Sequence, residues 1–295
     1  MTQSRFCNLE NCTFLLGVGA QKAGTTWLFR YLGNHPQILL SPIKELHYFD
    51  QLYRPGLYDG WYENLKTKLL RLAQTHGNDL EGFAEHAWPI IERLRMTRNQ
   101  DAYLAYFDRI ASGGAGIVGE ITPSYSLIPE YGYREIQELL GRYIGKIKII
   151  FIMRDPVDRF WSQLRHDVRK GRIISANDHV SAGLKQPFHL ELSRYDVTIT
   201  NLEKAFNPES IKYLFFESLF CDGTLSEICD FLGVDFSGPA PGFYQQKINR
   251  SESEPRSIET TIRIRNEFQP VYDFVFRKFG DSVPGRWHEI YSLPA

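Results

Sequence analysis

Cysteine is scarce in this chain. The four present, Cys7, Cys12, Cys221 and Cys229, form no C-x-x-C pair and have no histidine cluster beside them. That pattern excludes the usual zinc arrangements and a disulfide framework, so no metal is expected. Cys229 lies in an apolar helical stretch and reads as a small core hydrophobe. Net charge is equally scarce: 34 Lys and Arg against 35 Asp and Glu leave −1. No global field therefore recruits nucleic acid or an acidic membrane, and any anion site must come from local basic clusters. Long apolar runs are missing as well. The polar opening, residues 1–12, carries no signal-peptide core, and no later stretch reaches membrane-spanning length. A cytoplasmic protein without a membrane span is expected, with substrates drawn from the cytosol. Internal repeats and low-complexity tracts are absent too.

What is present fits one α/β domain over residues 1–295, with 43% hydrophobic residues to fill its core. Apolar runs at 13–18, 37–40, 116–118, 148–153 and 211–216 read as buried strands. Helical spacing follows at 25–32 and 225–232, and a longer terminal helix is expected over 258–279. Run 148–153 is almost wholly apolar and β-branched, as in a central parallel strand. Alternating strands and helices predict a parallel sheet with helices on both faces. Residues 51–115 break the rhythm and read as a helical insertion.

Between the first strand and first helix stands GVGAQKAGTTW, residues 17–27. Glycines let main-chain N–H groups approach an anion, the helix N-terminus adds its dipole, and the Thr25 and Thr26 hydroxyls add donors. Gly19 and Gly24 fit the G-x-x-x-x-G frame of a nucleotide-triphosphate loop, but Thr25 stands where that frame needs lysine. The lysine present, Lys22, lies earlier, where it can reach the bridging oxygen between a phosphate and its leaving group. No second-strand aspartate for Mg²⁺ is evident.

A second anion element begins where run 148–153 ends. Arg154 precedes Asp155-Pro156, an N-cap followed by a first-turn proline, and Ser162 comes eight residues after Arg154. From Pro156 to Ser162 a helix rises about 9 Å, so one phosphate beside its first turns could touch both residues. Arginine offers a rigid fork of donors suited to phosphate. A surface pairing of Arg154 with Asp155 or Asp158 is the plain alternative.

These two motifs, in this order, resemble the 5′-phosphosulfate loop and the 3′-phosphate motif of sulfotransferases that use 3′-phosphoadenosine 5′-phosphosulfate (PAPS). The resemblance implies a P-loop-like α/β fold and PAPS as co-substrate, with no metal. It implies that Lys22, Ala23, Gly24, Thr25, Thr26 and Trp27 cradle the 5′-phosphosulfate, and that Arg154 and Ser162 hold the 3′-phosphate. Phe243-Tyr244 and Lys247-Ile-Asn-Arg-Ser251 resemble the late loop that closes over the nucleotide in glycan sulfotransferases, which brings in Tyr244, Lys247, Asn249 and Arg250. Lys-Ile-Asn-Arg replaces that branch's Lys-Gly-Arg.

Sulfuryl transfer requires alignment, charge neutralisation and a base. Glu120, at the C-terminal end of a strand-like run, points toward the end of the sheet where such folds bind ligands. GEITPSY, residues 119–125, resembles the E-K-[ST]-P-x-Y motif of heparan-sulfate-type enzymes, which implies Glu120 as the base. Ile121 replaces that motif's lysine, which argues against a heparin-like substrate. KELHYFD, residues 44–50, resembles the family's K-E-x-H-F-F-D stretch. It implies that Lys44 faces the transferring group or the acceptor, with His47 as a competing base or a structural histidine. Glu45 reads as a partner of Lys44 or a structural carboxylate.

The expected activity is sulfuryl transfer from PAPS to a hydroxyl or amine of a small metabolite or carbohydrate-like acceptor. The rivals are a P-loop kinase and a non-catalytic nucleotide-binding protein. The insertion at 51–115, with Tyr53, Tyr58, Trp61 and Tyr62, is expected either to cover the acceptor as a lid or to pack on the sheet edge.

Overall fold

The computed structural model describes residues 6–57, 60–244 and 254–294. Five strands, β1 (Thr13–Gly19), β2 (Ile38–Leu40), β3 (Ile117–Ile121), β4 (Lys146–Met153) and β5 (Ile211–Phe215), form one sheet in the order β2-β3-β1-β4-β5. Every neighbouring pair is parallel. Side chains alternate between faces along a strand, yet β3 and nearly all of β1 are buried at every position, so both faces are covered. This is the α/β sheet that the alternating pattern predicts. β3 runs to Ile121, past the expected end at Val118, so Glu120 belongs to the strand itself.

Close approach governs the centre. A Cβ on Gly119 would lie 2.0 Å from the Leu15 carbonyl oxygen, and one on Gly17 would lie 2.7 Å from Ile121. β1 thus sits tightly against β3, and β4 flanks its other side. The loops after β1, β3 and β4 emerge at one end of the sheet, in the crevice where open parallel sheets place ligands.

The helices are α1 (Thr25–Gly33), α2 (Tyr48–Tyr53), α3 (Trp61–His76), α4 (Leu80–Met96), α5 (Gln100–Ala111), α6 (Glu130–Gly141), α7 (Pro156–Arg169), α8 (Ala176–Gly183), α9 (Pro187–Glu191), α10 (Tyr195–Ala205), α11 (Asp222–Leu232), α12 (Ile258–Glu267), α13 (Gln269–Phe279) and α14 (Gly285–Tyr291). α7 starts as its sequence dictates: the Asp155 carboxylate accepts from the Asp158 amide at 3.0 Å, and Pro156 opens the first turn. The expected single helix over 258–279 is two. The break falls at Phe268, because Pro270 in the first turn of α13 has no N–H to continue the helix.

The insertion divides. α3 and α4 pack mainly on each other, and α3 buries only Leu65. α5 is core: Tyr103, Tyr106 and Phe107 are buried against Phe14, Tyr48 and Phe49. Each such ring contributes about 1.5–3 kcal/mol by burial, too much for a segment that lifts away. Tyr53 is also buried, with its ring beside Tyr131, and does not line an open face.

Candidate active site

The β1–α1 loop forms an anion cradle from its main chain. Gly24 caps α1 in the left-handed region (φ 88°), and a Cβ there would meet Leu219 at 2.9 Å and Phe216 at 3.1 Å. Ala20 N–H is taken by the Ile152 carbonyl, and Ala23 N–H by Ala20. Among the described residues nothing accepts from the amides of Gln21, Lys22, Gly24, Thr25 and Thr26. Five main-chain donors at a helix N-terminus, with the Thr25 and Thr26 hydroxyls, make a ready anion site.

Lys22 holds a left-handed conformation (φ 70°). Burial, and then the nearby Arg169 and Arg154 guanidinium groups, push its ammonium down to about 8. Its carbonyl accepts from Arg154 Nη1 at 3.1 Å. Arg154 therefore does not pair with Asp155 or Asp158. Its guanidinium lies over the Phe216 ring at 4.3 Å and its backbone is held by the Tyr195 hydroxyl, which donates to its carbonyl at 2.8 Å. Asp155 instead accepts from Tyr272 at 2.5 Å, and Asp158 binds Arg256 and Arg286. Ser162 is buried on α7, two turns beyond Arg154. Arg159, on the same helix, is a wholly buried cation. It bonds Ser193 and the His189 carbonyl, while its Nη1 finds no partner. Among the described residues no carboxylate pairs with Arg159.

Trp27 is buried beneath Tyr31, Phe220, Phe243 and Tyr244. Tyr244 stacks on Trp27 and bonds Asp222 through its hydroxyl. Lys247, Asn249 and Arg250 lie outside the described residues, as does Tyr58.

The part of the site around Glu120 and Lys44 is built differently. Glu120 has no exposed surface. Tyr103 and Tyr125 donate to its Oε1 at 2.8 and 3.0 Å, and Thr122 donates to its Oε2 at 2.7 Å. Burial raises this carboxyl to about 7 against the opposing pull of those three hydroxyls. Glu120 thus ties α5 to β3 and to the turn after it.

Lys44, Glu45 and His47 lie nearer the surface. Lys44 and Glu45 form an ion pair. Glu45 Oε2 stands 3.8 Å from His47 Nε2, and His47 Nδ1 stands 2.8 Å from Asp50 Oδ2. Asp50 is fully buried and also accepts from Ser124 Oγ at 2.5 Å. The Trp61 ring meets His47 edge-on at 4.9 Å. Among the described residues four non-glycines have left-handed backbone, and three of them, Lys22, Glu45 and His47, belong to this site. Each costs roughly 1–2 kcal/mol, so the surroundings must hold them there. Sequence reasoning missed Asp50 as the partner of His47, although the i, i+3 spacing at the start of α2 carries that signal. It also missed Arg93, which no local motif marks.

Comparisons with known proteins bear on the fold and the family. A solved sulfotransferase from Alicyclobacillus acidocaldarius matches the fold with a TM-score of 0.63 at 22% identity, over 95% of this chain and 98% of that one. The membrane-associated sulfotransferase kil1 of Dictyostelium discoideum is 27% identical over 152 residues, 52% of this chain. The match spans only 22% of that relative's length. No helix among the described residues is long and apolar enough to cross a membrane. The sulfotransferase family model matches residues 15–238, from within β1 to beyond α11, a span that includes Lys22, Lys44, Glu120, Arg154 and Ser162. With more than half its length inside that match, this chain belongs to the sulfotransferase family.

Proposed function

We propose that the protein transfers a sulfuryl group from PAPS to a hydroxyl or amine of a small metabolite or sugar-like acceptor. The observation that carries this reading is the bond from Arg154 to the Lys22 carbonyl. It joins the two anion elements into one cationic site, with one element for each phosphate-bearing end of such a nucleotide. The acceptor oxygen or nitrogen bonds to sulfur while the bond from sulfur to the bridging phosphate oxygen breaks. The electron pair leaves with that phosphate, and the acceptor proton goes to a base. Lys22 neutralises the departing oxygen, with the loop amides and the hydroxyls of Thr25 and Thr26 around the phosphosulfate. Arg154 and Ser162 take the 3′-phosphate, and Lys44 offsets charge on the acceptor side. Preorganised donors of this kind are commonly the largest catalytic contribution.

Two groups compete for the proton. Glu120 matches the family motif, and burial lifts it to about 7, a useful range for a base. A second reading is favoured by exposure. Glu120 has no surface and three hydroxyl donors, whereas the His47 side chain retains 15% of its surface and is oriented by Asp50. A proton on Nδ1, shared with Asp50, leaves Nε2 as the acceptor, with Glu45 beside it. A cytoplasmic location belongs to the same proposal, and recovery in the membrane pellet on fractionation would contradict it.

The test is transfer of label from ³⁵S-PAPS to an acceptor panel of sugars, phenols and amines, with and without a chelator. Labelled product with undiminished rate in chelator supports the reading. Turnover of ATP with loss in chelator would support a kinase, and nucleotide binding without turnover a regulator.

A further inference from the structure

The segment between β2 and α2, residues 41–47, carries Lys44, Glu45 and His47, yet sheet pairing does not hold it. After Ser41, whose amide bonds the Gly119 carbonyl at 2.7 Å, the chain leaves the ladder. Side chains from other elements then take over. Ser41 Oγ meets the Tyr106 hydroxyl of α5 at 2.8 Å, and the Tyr125 hydroxyl accepts from the amides of Tyr48 and Phe49. Between these two anchors the Arg93 guanidinium of α4 reaches in. Its Nη2 donates to the carbonyl of Lys44 at 2.9 Å and to that of Glu45 at 3.2 Å. No carboxylate lies within ion-pair distance of Arg93 among the described residues. Its Nη1 turns back to the Pro89 carbonyl of its own helix at 3.5 Å, while Nη2 is directed at the two carbonyls of the turn, one of them on a residue held in left-handed backbone (φ 57°). A second left-handed residue, His47, follows two positions later.

We infer that Arg93 is a positioning residue that clamps the Lys44–Glu45 turn, so that the α3–α4 hairpin sets where Lys44, Glu45 and His47 stand at the acceptor. The inference rests on the sulfuryl-transfer reading for the word acceptor, but the clamp itself is a statement about geometry. It gives the hairpin a role that neither the lid nor the edge-packing expectation contains. A shift of α4 moves the two carbonyls, and through them the side chains of Lys44, Glu45 and His47, without touching the nucleotide cradle. Charge-assisted bonds to carbonyls are stronger than neutral ones, and here a single nitrogen, Nη2, serves both acceptors.

The test needs no acceptor. Histidine Hε1 signals of the full chain are recorded at one pH, with His47 assigned by its loss in His47→Asn. In Arg93→Met the His47 signal should shift or broaden beyond detection, while His288 on α14 stays in place. Arg93→Lys keeps the charge but stops one bond short of the Nη2 position, and should displace the signal by a smaller amount. If Arg93→Met does not fold, Arg93→Lys alone decides. A His47 signal at its wild-type position in the variants that fold would overturn the inference. Calorimetry with 3′-phosphoadenosine 5′-phosphate (PAP) on the same samples should give affinities within twofold of wild type, and a larger loss would also overturn it. Failure of the wild-type protein to bind PAP would instead overturn the sulfuryl-transfer reading and leave the His47 result standing.

Discussion

The proposed nucleotide cradle and the proposed acceptor cleft lie side by side at one end of the sheet, but they are assembled by opposite means. The cradle is made largely of main chain: one loop of β1–α1 and one helix start after β4, linked by the bonds from Ala20 to Ile152 and from Arg154 to Lys22. The cleft is made of side chains brought from far apart. Asp50, Arg93, Tyr103, Glu120 and Ser124 meet around a turn that the sheet does not hold. Main-chain donors depend on backbone conformation, whereas a side-chain cleft changes with each residue that lines it.

The sharpest way to break this contrast is through the proton acceptor. Loss of the true base should lower turnover by about 10²–10⁴-fold and leave PAP affinity nearly unchanged. Steady-state rates of Glu120→Gln and His47→Asn, measured side by side, identify which residue it is. If neither falls tenfold, the cleft holds a base outside both readings.

The cradle should respond to pH through Lys22. With its ammonium pushed down to about 8, Lys22 is a cation at pH 7 and loses its proton above pH 8. PAP affinity should be greatest below pH 8 and then fall by up to about tenfold per pH unit. Calorimetry from pH 7 to 9.5 checks this against Lys22→Met, which should lack the fall. Parallel profiles would show that the charge on Lys22 does not contribute.

Stability should report the cleft. Glu120 is raised in the folded state, to about 7 from an ordinary 4.5. Its contribution is therefore fully present below about pH 4.5 and is lost as pH rises through 7. Urea midpoints should fall between pH 5 and 8 in wild type and fall less in Glu120→Gln. Asp155, also raised to about 7, contributes to the decline in both proteins, so the difference between the curves is the quantity to read.

The smallest expected effect is at the hairpin. Trp61→Ala removes the ring beside His47 and should raise the acceptor KM by about 2- to 10-fold, with PAP binding and Tm nearly unchanged. A large fall in Tm with unchanged KM would make the hairpin a structural brace.

The contrast also explains what the sequence disclosed. The strands and both anion elements were legible because each is a contiguous pattern: an apolar run, glycines before Lys22, or Asp155-Pro156 after Arg154. The two-part character of residues 51–115 was not legible. α3, α4 and α5 are all amphipathic, and only the packing of Tyr103 and Phe107 on Phe14 separates core from hairpin. Glu120 was legible as a strand-end carboxylate, but its three hydroxyl partners come partly from residue 103, out of reach of local spacing. Arg93 was invisible for the same reason, since its targets lie 49 and 48 residues away.

The claim on which the rest depends is that the joined cradle reads a nucleotide with phosphate at both ends. Calorimetric titration of the wild-type protein and Arg154→Ala with PAP and with 5′-AMP tests it most directly. Hydrogen bonds to charged groups contribute roughly 1.5–3 kcal/mol each, so wild type should prefer PAP by about 10²-fold or more, and Arg154→Ala should lose most of that preference. Equal affinity of the wild-type protein for PAP and 5′-AMP would contradict the account.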